Sequence, residues 1–586
     1  MKIVPALDHL QKMLPEPVRS RLLKDAVYEL TGAWKFFTRL EAGRPALLFV
    51  PAFSALPLSF ARHVARLDVL GPTKEEMKLM AELAASKSIS NLRLLASTEA
   101  LAASYATIIL APSRISHKEA LFRETISRLT AISSTETEWW LLVRIQRRQE
   151  LKPAGKKFLQ DIWQRSSGKG LPASPRLCFA PRYLARSSQI LQLLHGRALQ
   201  PCLELNVAPD FASPKYVAMS EGQSKTNKPF THLHISKKLP AEHVLLRFGN
   251  ASPGDSFLER LLQHLGRQTK STWQVGRQYR VLPGGKVQIA LRHRQPAASD
   301  SALLKMPLIA FAAARLRENA GNLMRLAQTK EIPGEQHGLF PQILAEGVFE
   351  TQAYYLETFL SGRSLDQLPA TAIDDGLIEK IFALWLELQS RLTRRVKVSE
   401  LVFNSVFADL SNRMQDWLSL DATARDRMQR VMDYWHQTFA GRELSLGTVH
   451  GDFSIKNILV DPKTKQITGI IDWDLTDFFT IPLLDVLHFF VRLDARSFQD
   501  TPPAIALRLV QDRHGAHQRY FHHVAGHHGY APEDWPAVVM LYWLFRQRGY
   551  LGSPKNADAT FVRRQFSSVL ELFEREIIFA KAGVRA

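Results

Sequence analysis

The chain has 586 residues, a formal net charge of +20, 46% hydrophobic residues and two cysteines. This apolar content is enough for large buried cores, so it excludes a disordered chain, and the length predicts two to four domains. The low cysteine count excludes a disulfide framework, and the chain has neither a signal-peptide-like start nor an apolar stretch of about 18 residues, so we expect a cytoplasmic protein without a transmembrane segment.

The excess of positive charge indicates anionic partners, and nucleotides are one such class. Part of it lies in short basic clusters at 144–148, 292–294 and 394–397. None of these clusters has the interleaved aromatic residues of a single-strand-binding surface, so we expect no nucleic-acid partner. The clusters are typical of solvated faces, and peripheral contact with an anionic membrane surface is the alternative.

The first 150 residues predict strands that alternate with helices. Apolar runs at 45–50, 66–70 and 105–110 indicate strands, and 73–86 has helical periodicity. Such alternation predicts an α/β domain with a parallel sheet.

This order of elements resembles a class I S-adenosylmethionine-dependent methyltransferase domain, which implies a Rossmann-like fold. Residues 50–56, after the first strand, contain no glycine, whereas that family has a glycine-rich turn there. The second strand also lacks an acidic residue at its very end, because Asp68 precedes Gly71 by three positions. We therefore expect residues 1–150 to be a degenerate Rossmann-like domain, and we assign no cofactor-binding residue in it.

Two further regions follow. Residues 151–274 predict a linker and an intermediate α+β region, in which Val244–Phe248 and Phe257–Leu265 resemble a strand followed by a helix. From residue 275 onward the pattern predicts a hairpin, a third strand, a helix, another strand and a long amphipathic helix. In chain order these are Tyr279–Leu282 with Lys286–Leu291, Ser301–Pro307, Leu308–Ala327, Ala353–Leu360 and Ile373–Leu392.

The most informative segment combines the motifs His450-Gly451-Asp452, Asn457 and Ile471-Asp472-Trp473-Asp474. Predicted strands at 458–460 and 467–471 place these polar residues at strand ends, where they converge. The Asp452 carboxylate is suited to orient or deprotonate an acceptor hydroxyl. Asn457 and Asp472 offer the hard oxygen ligands that Mg²⁺ prefers, at the spacing that a phosphotransferase needs.

This segment resembles the aminoglycoside phosphotransferase and choline kinase family, small-molecule relatives of the protein kinases. The resemblance implies an α+β, two-lobed, protein-kinase-like domain with an N-lobe at 275–360 and a C-lobe at 361–586, and it implies ATP or GTP and Mg²⁺ as cofactors. It identifies Asp452 as the catalytic residue and Asn457 and Asp472 as the metal ligands.

The same resemblance implies which residues bind the nucleotide phosphates. Lys305 takes the place of the phosphate-binding lysine, with Arg247 as the alternative if the lobe begins earlier. Glu318 is the expected partner of Lys305 in the kinase lysine–glutamate ion pair. The usual register of the family would instead put Asn319 at that position.

The resemblance also implies the nucleotide-covering loop and the adenine contacts. Gly284 and Gly285 lie in the loop that covers the phosphates, although the full glycine pattern of such loops is absent. Backbone groups around Glu357 and Phe359 would contact the adenine, in a strand that ends at Gly362.

Three hypotheses follow for the function. The first is an ATP- and Mg²⁺-dependent phosphotransferase that phosphorylates a hydroxyl of a small molecule, a sugar or an amino alcohol; the resemblance implies a link to bacterial surface-polysaccharide biosynthesis. The second is a catalytically weak pseudo-kinase scaffold. The third is a bifunctional methyltransferase–kinase, whose N-terminal domain would have to bind S-adenosylmethionine.

Overall fold

The structure is a computed structural model that describes residues 43–50, 56–110 except 73, 87 and 103, 128–129, 131–132, 137–144, 201–207, 219–220, 243–248, 257–282, 285–293, 300–418, 420–494, 508, 518–549 and 559–579. The linker predicted in the intermediate region and Gly284 lie outside these residues. Contacts divide the chain into two compact units: unit 1 is Met1–Ala313 with Ala345–Leu356, and unit 2 is Ala314–Leu344 with Glu357–Ala586.

Unit 1 begins with an α/β sheet. Its strands are β1 (Pro45–Phe49), β2 (Arg66–Leu70), β3 (Leu92–Leu95), β4 (Thr107–Leu110), β5 (Glu138–Arg144), β6 (Pro201–Val207), β7 (Met219–Ser220) and β8 (His243–Phe248), with helices α1 (Leu56–Phe60) and α2 (Lys74–Ser86). Among the described residues the strand order is β3-β2-β1-β4-β5-β8-β6-β7. Strands β1 to β5 pair in parallel, and β8 runs antiparallel between β5 and β6.

Strand β1, which lies between β2 and β4, is buried along most of its length. Residues 46–49 of β1 are all buried, as expected for a parallel strand that is covered on both faces. The parallel α/β sheet predicted for the N-terminal region is therefore present. Its Rossmann-like, methyltransferase-like interpretation stays a prediction.

A buried carboxylate ties β2 to its neighbours. Asp68 is fully buried, and Arg93 on β3 donates from Nε to its Oδ1 at 3.0 Å and from Nη2 to its Oδ2 at 2.6 Å. The Tyr105 hydroxyl also donates to Oδ2, at 2.7 Å, and Arg66 Nε lies 3.2 Å from Oδ1. Burial raises the pKa of Tyr105 to about 12, so this hydroxyl keeps its proton. Protein donors therefore engage both oxygens of Asp68.

A second sheet in unit 1 contains the predicted hairpin. Its strands are β9 (Trp273–Leu282), β10 (Lys286–His293), β11 (Asp300–Pro307), β12 (Ile343–Phe349) and β13 (Gln352–Thr358), in the order β12-β13-β11-β10-β9 among the described residues. Strand β9 begins earlier than predicted, because the buried Trp273 ring stacks on His293 across the pair, with centroids 4.6 Å apart. Helix α3 (Phe257–Thr269) buries Leu258, Leu261 and Leu265 in the same apolar cluster as β10 and β11.

Unit 2 is mainly helical. Its helices are α4 (Ala310–Ala327, which starts in unit 1), α5 (Asp375–Leu392), α6 (Glu400–Phe403), α7 (Asp409–Leu418), α8 (Ala422–Phe439), α9 (Leu483–Asp494), α10 (Gln518–His527), α11 (Trp535–Arg548) and α12 (Ala559–Phe573). Helix α5 begins at Asp375 because the Asp374 side chain caps it, accepting from the Leu377 backbone N–H at 2.9 Å. Within the described ranges, no helix is long and apolar enough to cross a bilayer.

Two small sheets of unit 2 flank the segments that carry Asp452, Asn457 and Asp472. They have the orders β14-β17-β18 and β15-β16-β19, from strands β14 (Arg363–Ser364), β15 (Thr393–Lys397), β16 (Glu443–Val449), β17 (Ile458–Val460), β18 (Ile467–Ile470) and β19 (Asp477–Thr480). Strands β17 and β18 form the predicted antiparallel hairpin, with Ile458 opposite Ile470. The Asp461 side chain accepts backbone N–H groups within the turn between them, at 2.7 and 2.9 Å. This register places the start of β17 beside the end of β18.

Candidate active site

The loop that follows β16 is held by buried side chains. The Asp485 carboxylate on α9 accepts the backbone N–H groups of His450 at 2.6 Å and of Gly451 at 2.9 Å. Burial raises the pKa of Asp485 to about 7, although these two donors act in the opposite direction. Gly451 has φ +79°, and a side chain there would collide with the backbone carbonyl of Leu475, so the turn requires glycine. Phe453 anchors the far side of the loop, since its ring stacks on Trp385 at 4.3 Å.

His450 links this loop to the end of β18. Its Nε2 lies 2.9 Å from the carbonyl oxygen of Ile471, and its Nδ1 lies 3.2 Å from the backbone nitrogen of Asp452. A carbonyl can only accept and a backbone N–H can only donate, so the ring is the neutral tautomer with its proton on Nε2. Burial lowers the pKa of His450 to about 4, which agrees with a neutral ring.

The predicted catalytic and metal-binding residues lie together. Asn457 Nδ2 donates to the Asp452 carboxylate oxygen Oδ2 and to the Asp452 backbone oxygen, each at 2.9 Å. The Ile471 backbone N–H donates to the Asn457 carbonyl at 2.9 Å, which places Asp472 in the adjacent segment. Asp472 has φ +63°, a left-handed conformation that is uncommon outside glycine and that occurs at functional sites.

This arrangement fits a magnesium ion. The Asn457 side-chain nitrogen Nδ2 donates to two oxygens of Asp452, so the side-chain oxygen Oδ1 is the atom that could bind a cation. The Asp472 carboxylate, in the segment that follows β18, would supply the second hard oxygen. Mg²⁺ commonly takes only one or two protein ligands and completes its shell with water and phosphate oxygens, so this pair is sufficient.

Two residues beside Asp452 were missed by the sequence reasoning. His488 Nε2 and Arg546 Nη2 lie 2.9 Å and 3.0 Å from the same carboxylate oxygen, Oδ1. Desolvation alone would raise the pKa of Asp452, but the Arg546 guanidinium and the hydrogen bond from His488 outweigh it and hold this pKa well below its usual range. His488 could have been noticed, because it follows Asp485 by one helical turn on α9. Arg546 has no local sequence signal.

The segment after Asp472 is bound by polar residues of α4. Asn319 Oδ1 accepts the backbone N–H of Trp473 at 2.9 Å, and Asn322 Nδ2 donates to the Trp473 carbonyl at 2.8 Å. Asn319 is buried, and its Nδ2 lies 3.4 Å from Glu357 Oε2. Glu318 instead has a side chain that is 55% exposed and that pairs with Arg315 at 3.0 Å. The ion pair between Lys305 and Glu318 stays a prediction.

The other predicted nucleotide-binding residues lie on the strands and turn that the sequence indicated. Lys305 is buried on β11, where it is paired with Gln288 of β10. Gly285 has φ +76° at the start of β10, and its carbonyl accepts the Leu308 backbone N–H at 2.7 Å. Glu357 is buried near the end of β13, and Phe359 follows that strand. Their roles toward a nucleotide remain predictions.

Residues 292–522 match the family model described as the phosphotransferase enzyme family. The C-terminal half therefore contains a phosphotransferase-family domain. The match confirms the kinase-like, α+β prediction for this half of the chain at the level of the family. No curated protein matches the chain.

The chain is also similar to solved structures. One is the aminoglycoside phosphotransferase APH(3'')-Id from Streptomyces rimosus in complex with ADP and streptomycin (14% identity; 44% of this chain and 90% of that chain; TM-score 0.29). A second is the GDP complex of a mutant aminoglycoside phosphotransferase of type IIIa (18%; 50% and 90%; 0.31). A third is WbdD, whose likeness spans 97% of this chain and 90% of that chain, with 13% identity and a TM-score of 0.25. All three scores are low, so the assignment rests on the family match.

Proposed function

We propose that this protein is an ATP- and Mg²⁺-dependent phosphotransferase that phosphorylates a hydroxyl of a small molecule. The observation that carries the proposal is the Asp452–Asn457 hydrogen-bonded pair, with Asp472 in the adjacent segment. Phosphoryl transfer needs little covalent chemistry from the protein; it needs an oriented hydroxyl and neutralised phosphates. These residue types, held in this way, supply an orienting carboxylate and a cation site.

The reaction would proceed by in-line displacement. The acceptor oxygen forms a bond to the γ-phosphorus while the bond from that phosphorus to the bridging oxygen of the leaving diphosphate breaks. Asp452 accepts a hydrogen bond from the acceptor hydroxyl and receives its proton as the new bond forms. The depressed pKa of Asp452 favours this late proton transfer, because a carboxylate of low pKa is a weak base toward a free hydroxyl. Lys305 and bound Mg²⁺ would neutralise the phosphates.

The acceptor in this proposal is a sugar or an amino alcohol. The Arg546 guanidinium lies 3.0 Å from Asp452 Oδ1 and forms an ion pair with this carboxylate, so the charge of the pair does not select between a neutral and a cationic acceptor. A sugar acceptor would fit a role in bacterial surface-polysaccharide biosynthesis.

The pseudo-kinase scaffold remains the second candidate. The observation in its favour is that three side chains already contact the Asp452 carboxylate: Asn457, His488 and Arg546. A scaffold would bind Mg²⁺-nucleotide without transferring phosphate, so turnover distinguishes it from the enzyme.

The test is isothermal calorimetry of Mg²⁺-ATP and Mg²⁺-GTP binding to the wild type, to Asp472→Ala and to Asp426→Ala. Asp426 is an exposed carboxylate on α8 and serves as the matched control. We expect micromolar binding by the wild type and the control, and a loss of roughly 100-fold for Asp472→Ala, because a metal ligand is removed. Equal affinity in all three proteins, or no binding at millimolar nucleotide, would contradict the proposed site. A subsequent screen of sugars and amino alcohols for ADP release would identify the acceptor class.

A further inference from the structure

Both oxygens of the Asp452 carboxylate have defined partners. Oδ1 accepts from His488 Nε2 at 2.9 Å and lies 3.0 Å from Arg546 Nη2, while Oδ2 accepts from Asn457 Nδ2 at 2.9 Å. Each carboxylate oxygen can accept about two hydrogen bonds. Oδ1 is therefore fully occupied, and Oδ2 retains one acceptor position. The side chain is still 33% exposed, so a ligand can reach it.

The orientation of His488 is set by a buried tyrosine. His488 Nδ1 lies 3.0 Å from the Tyr542 hydroxyl, and both side chains are buried. Because His488 Nε2 must donate to the ionised Asp452, its Nδ1 must accept, and the Tyr542 hydroxyl is the donor. The chain of donors therefore runs from Tyr542 through His488 to Oδ1, and it selects one tautomer of the imidazole ring.

Helix α11 supplies both Tyr542, which orients His488, and Arg546, which contacts Asp452 directly. Tyr542 and Arg546 are four residues apart on α11, so they lie on the same helical face. Arg546 also donates from Nη1 to the Gly451 carbonyl at 2.5 Å, which fixes its guanidinium beside the catalytic loop. Helix α11 thus holds the carboxylate directly through Arg546 and indirectly through His488.

We propose that Tyr542, His488 and Arg546 together position the catalytic carboxylate: they occupy its Oδ1 and leave Oδ2 for the acceptor hydroxyl. This assignment rests on the proposed phosphotransferase function. The three residues are positioning residues, because they act through Asp452 and do not themselves contact the reacting atoms. Locking one oxygen into a fixed direction matters because a misplacement of about 1 Å in a reacting group can reduce the rate roughly 100-fold.

The test uses the full chain and the slow hydrolysis of Mg²⁺-ATP, in which water is the acceptor. The variants are Tyr542→Phe, His488→Leu and His488→Gln, and the matched control is Tyr530→Phe. Tyr530 is also buried, and its hydroxyl donates to the Ser445 carbonyl at 2.7 Å. Within the described residues, no hydrogen bond joins Tyr530 to His488 or Asp452. Calorimetric Mg²⁺-ATP affinity and melting temperature are measured for each protein.

We expect kcat to fall about tenfold in Tyr542→Phe and roughly 100-fold in His488→Leu, with the KM for ATP unchanged. His488→Gln should recover most of the loss, because the glutamine amide can donate to Oδ1 in place of Nε2. Tyr530→Phe should lower the melting temperature without lowering kcat. If Tyr542→Phe and His488→Leu keep the wild-type kcat, or if glutamine gives no recovery, the positioning role is overturned while the phosphotransferase stands. A wild type that binds no Mg²⁺-nucleotide would overturn the proposed function and the positioning role together.

Discussion

At the residue scale, each polar side chain near Asp452 has hydrogen-bond partners that fix which of its atoms donate and which accept. Asn457 keeps its amide nitrogen toward Asp452, which leaves its oxygen for a cation. His450 is held as a neutral ring by one acceptor and one donor of the backbone. Such constraints let a few residues orient a reactive carboxylate without further rearrangement, which is the condition for effective electrostatic catalysis.

Substitutions of the neighbouring residues Glu318 and Asn319 should have different effects on stability and on nucleotide affinity. Replacing Asn319 with Leu removes the acceptor of the buried Trp473 N–H, so we expect a loss of about 2 kcal/mol of stability and a weaker affinity for Mg²⁺-nucleotide. Replacing Glu318 with Gln removes only an exposed pair with Arg315, which should cost less than about 0.5 kcal/mol.

Urea denaturation and calorimetry of both variants test this prediction. A large loss of nucleotide affinity in Glu318→Gln, with Asn319→Leu unaffected, would show that the kinase-type ion pair uses Glu318. The opposite result would assign the connecting role of α4 to Asn319.

At the element scale, the site depends on how three elements meet. The β17–β18 hairpin brings Asn457 and Asp472 into adjacent segments through strand register. Helix α9 contributes Asp485 and His488 from one face, and α11 contributes Tyr542 and Arg546 from another. The two residues of each pair lie about one helical turn apart, so the core packing of these helices also sets the geometry of the site.

The buried histidines of these elements predict acid sensitivity. Burial lowers the pKa of His450 to about 4, of His488 to about 3 and of His528 to about 4, whereas an unfolded histidine has a pKa near ~6.5. Below that value the unfolded chain binds protons that the folded chain does not, so stability falls as the pH falls. Asp485 acts in the opposite direction, because its raised pKa of about 7 lets the folded chain hold a proton that the unfolded chain releases.

For His450, His488, His528 and Asp485 taken together, the unfolded and folded chains differ near pH ~5.5 by about two bound protons, so these four groups contribute roughly 2.7 kcal/mol of stability per pH unit. Urea midpoints at several pH values between neutral and acidic would measure this slope. His528→Gln should reduce it by about 1.4 kcal/mol per pH unit, whereas His523→Gln, at an exposed position, should leave it unchanged. An unchanged slope in His528→Gln would contradict the assignment of these buried neutral rings.

At the scale of the whole molecule, the two units differ in how much of an enzyme site each retains. Unit 2 has a clustered set of oriented polar residues. Unit 1 has the parallel sheet, in which Asp68 on β2 is bound by Arg93 on β3 and by Tyr105, which precedes β4. The sequence has neither the acidic strand end nor the glycine-rich turn of the methyltransferase family, and these contacts give Asp68 a structural role.

We therefore expect the full chain to show no binding of S-adenosylmethionine in calorimetry at ligand concentrations up to millimolar. Mg²⁺-ATP titrated into the same preparation provides the positive control for folded protein. Binding at micromolar S-adenosylmethionine would contradict this prediction and would restore the bifunctional methyltransferase–kinase hypothesis.

The sequence by itself determined the features that depend on short-range spacing. The β17–β18 hairpin, the strand-end positions of Asn457 and Asp472, and helix α5 follow from local periodicity and turn chemistry, because neighbouring residues in a strand or helix have fixed relative positions. The start of α5 and the length of β9 differ from prediction by a few residues, since a side-chain cap and a cross-strand ring contact set those ends.

Only the tertiary structure decided which residues surround Asp452. His488, Tyr542 and Arg546 reach it because α9 and α11 pack beside the catalytic loop, and no local pattern encodes that packing. The rotation of α4 about its axis likewise decided that Asn319 binds the Trp473 backbone N–H and that Glu318 is exposed beside Arg315. Local spacing specifies what a segment can do chemically, whereas the long-range packing of apolar surfaces determines which segments meet.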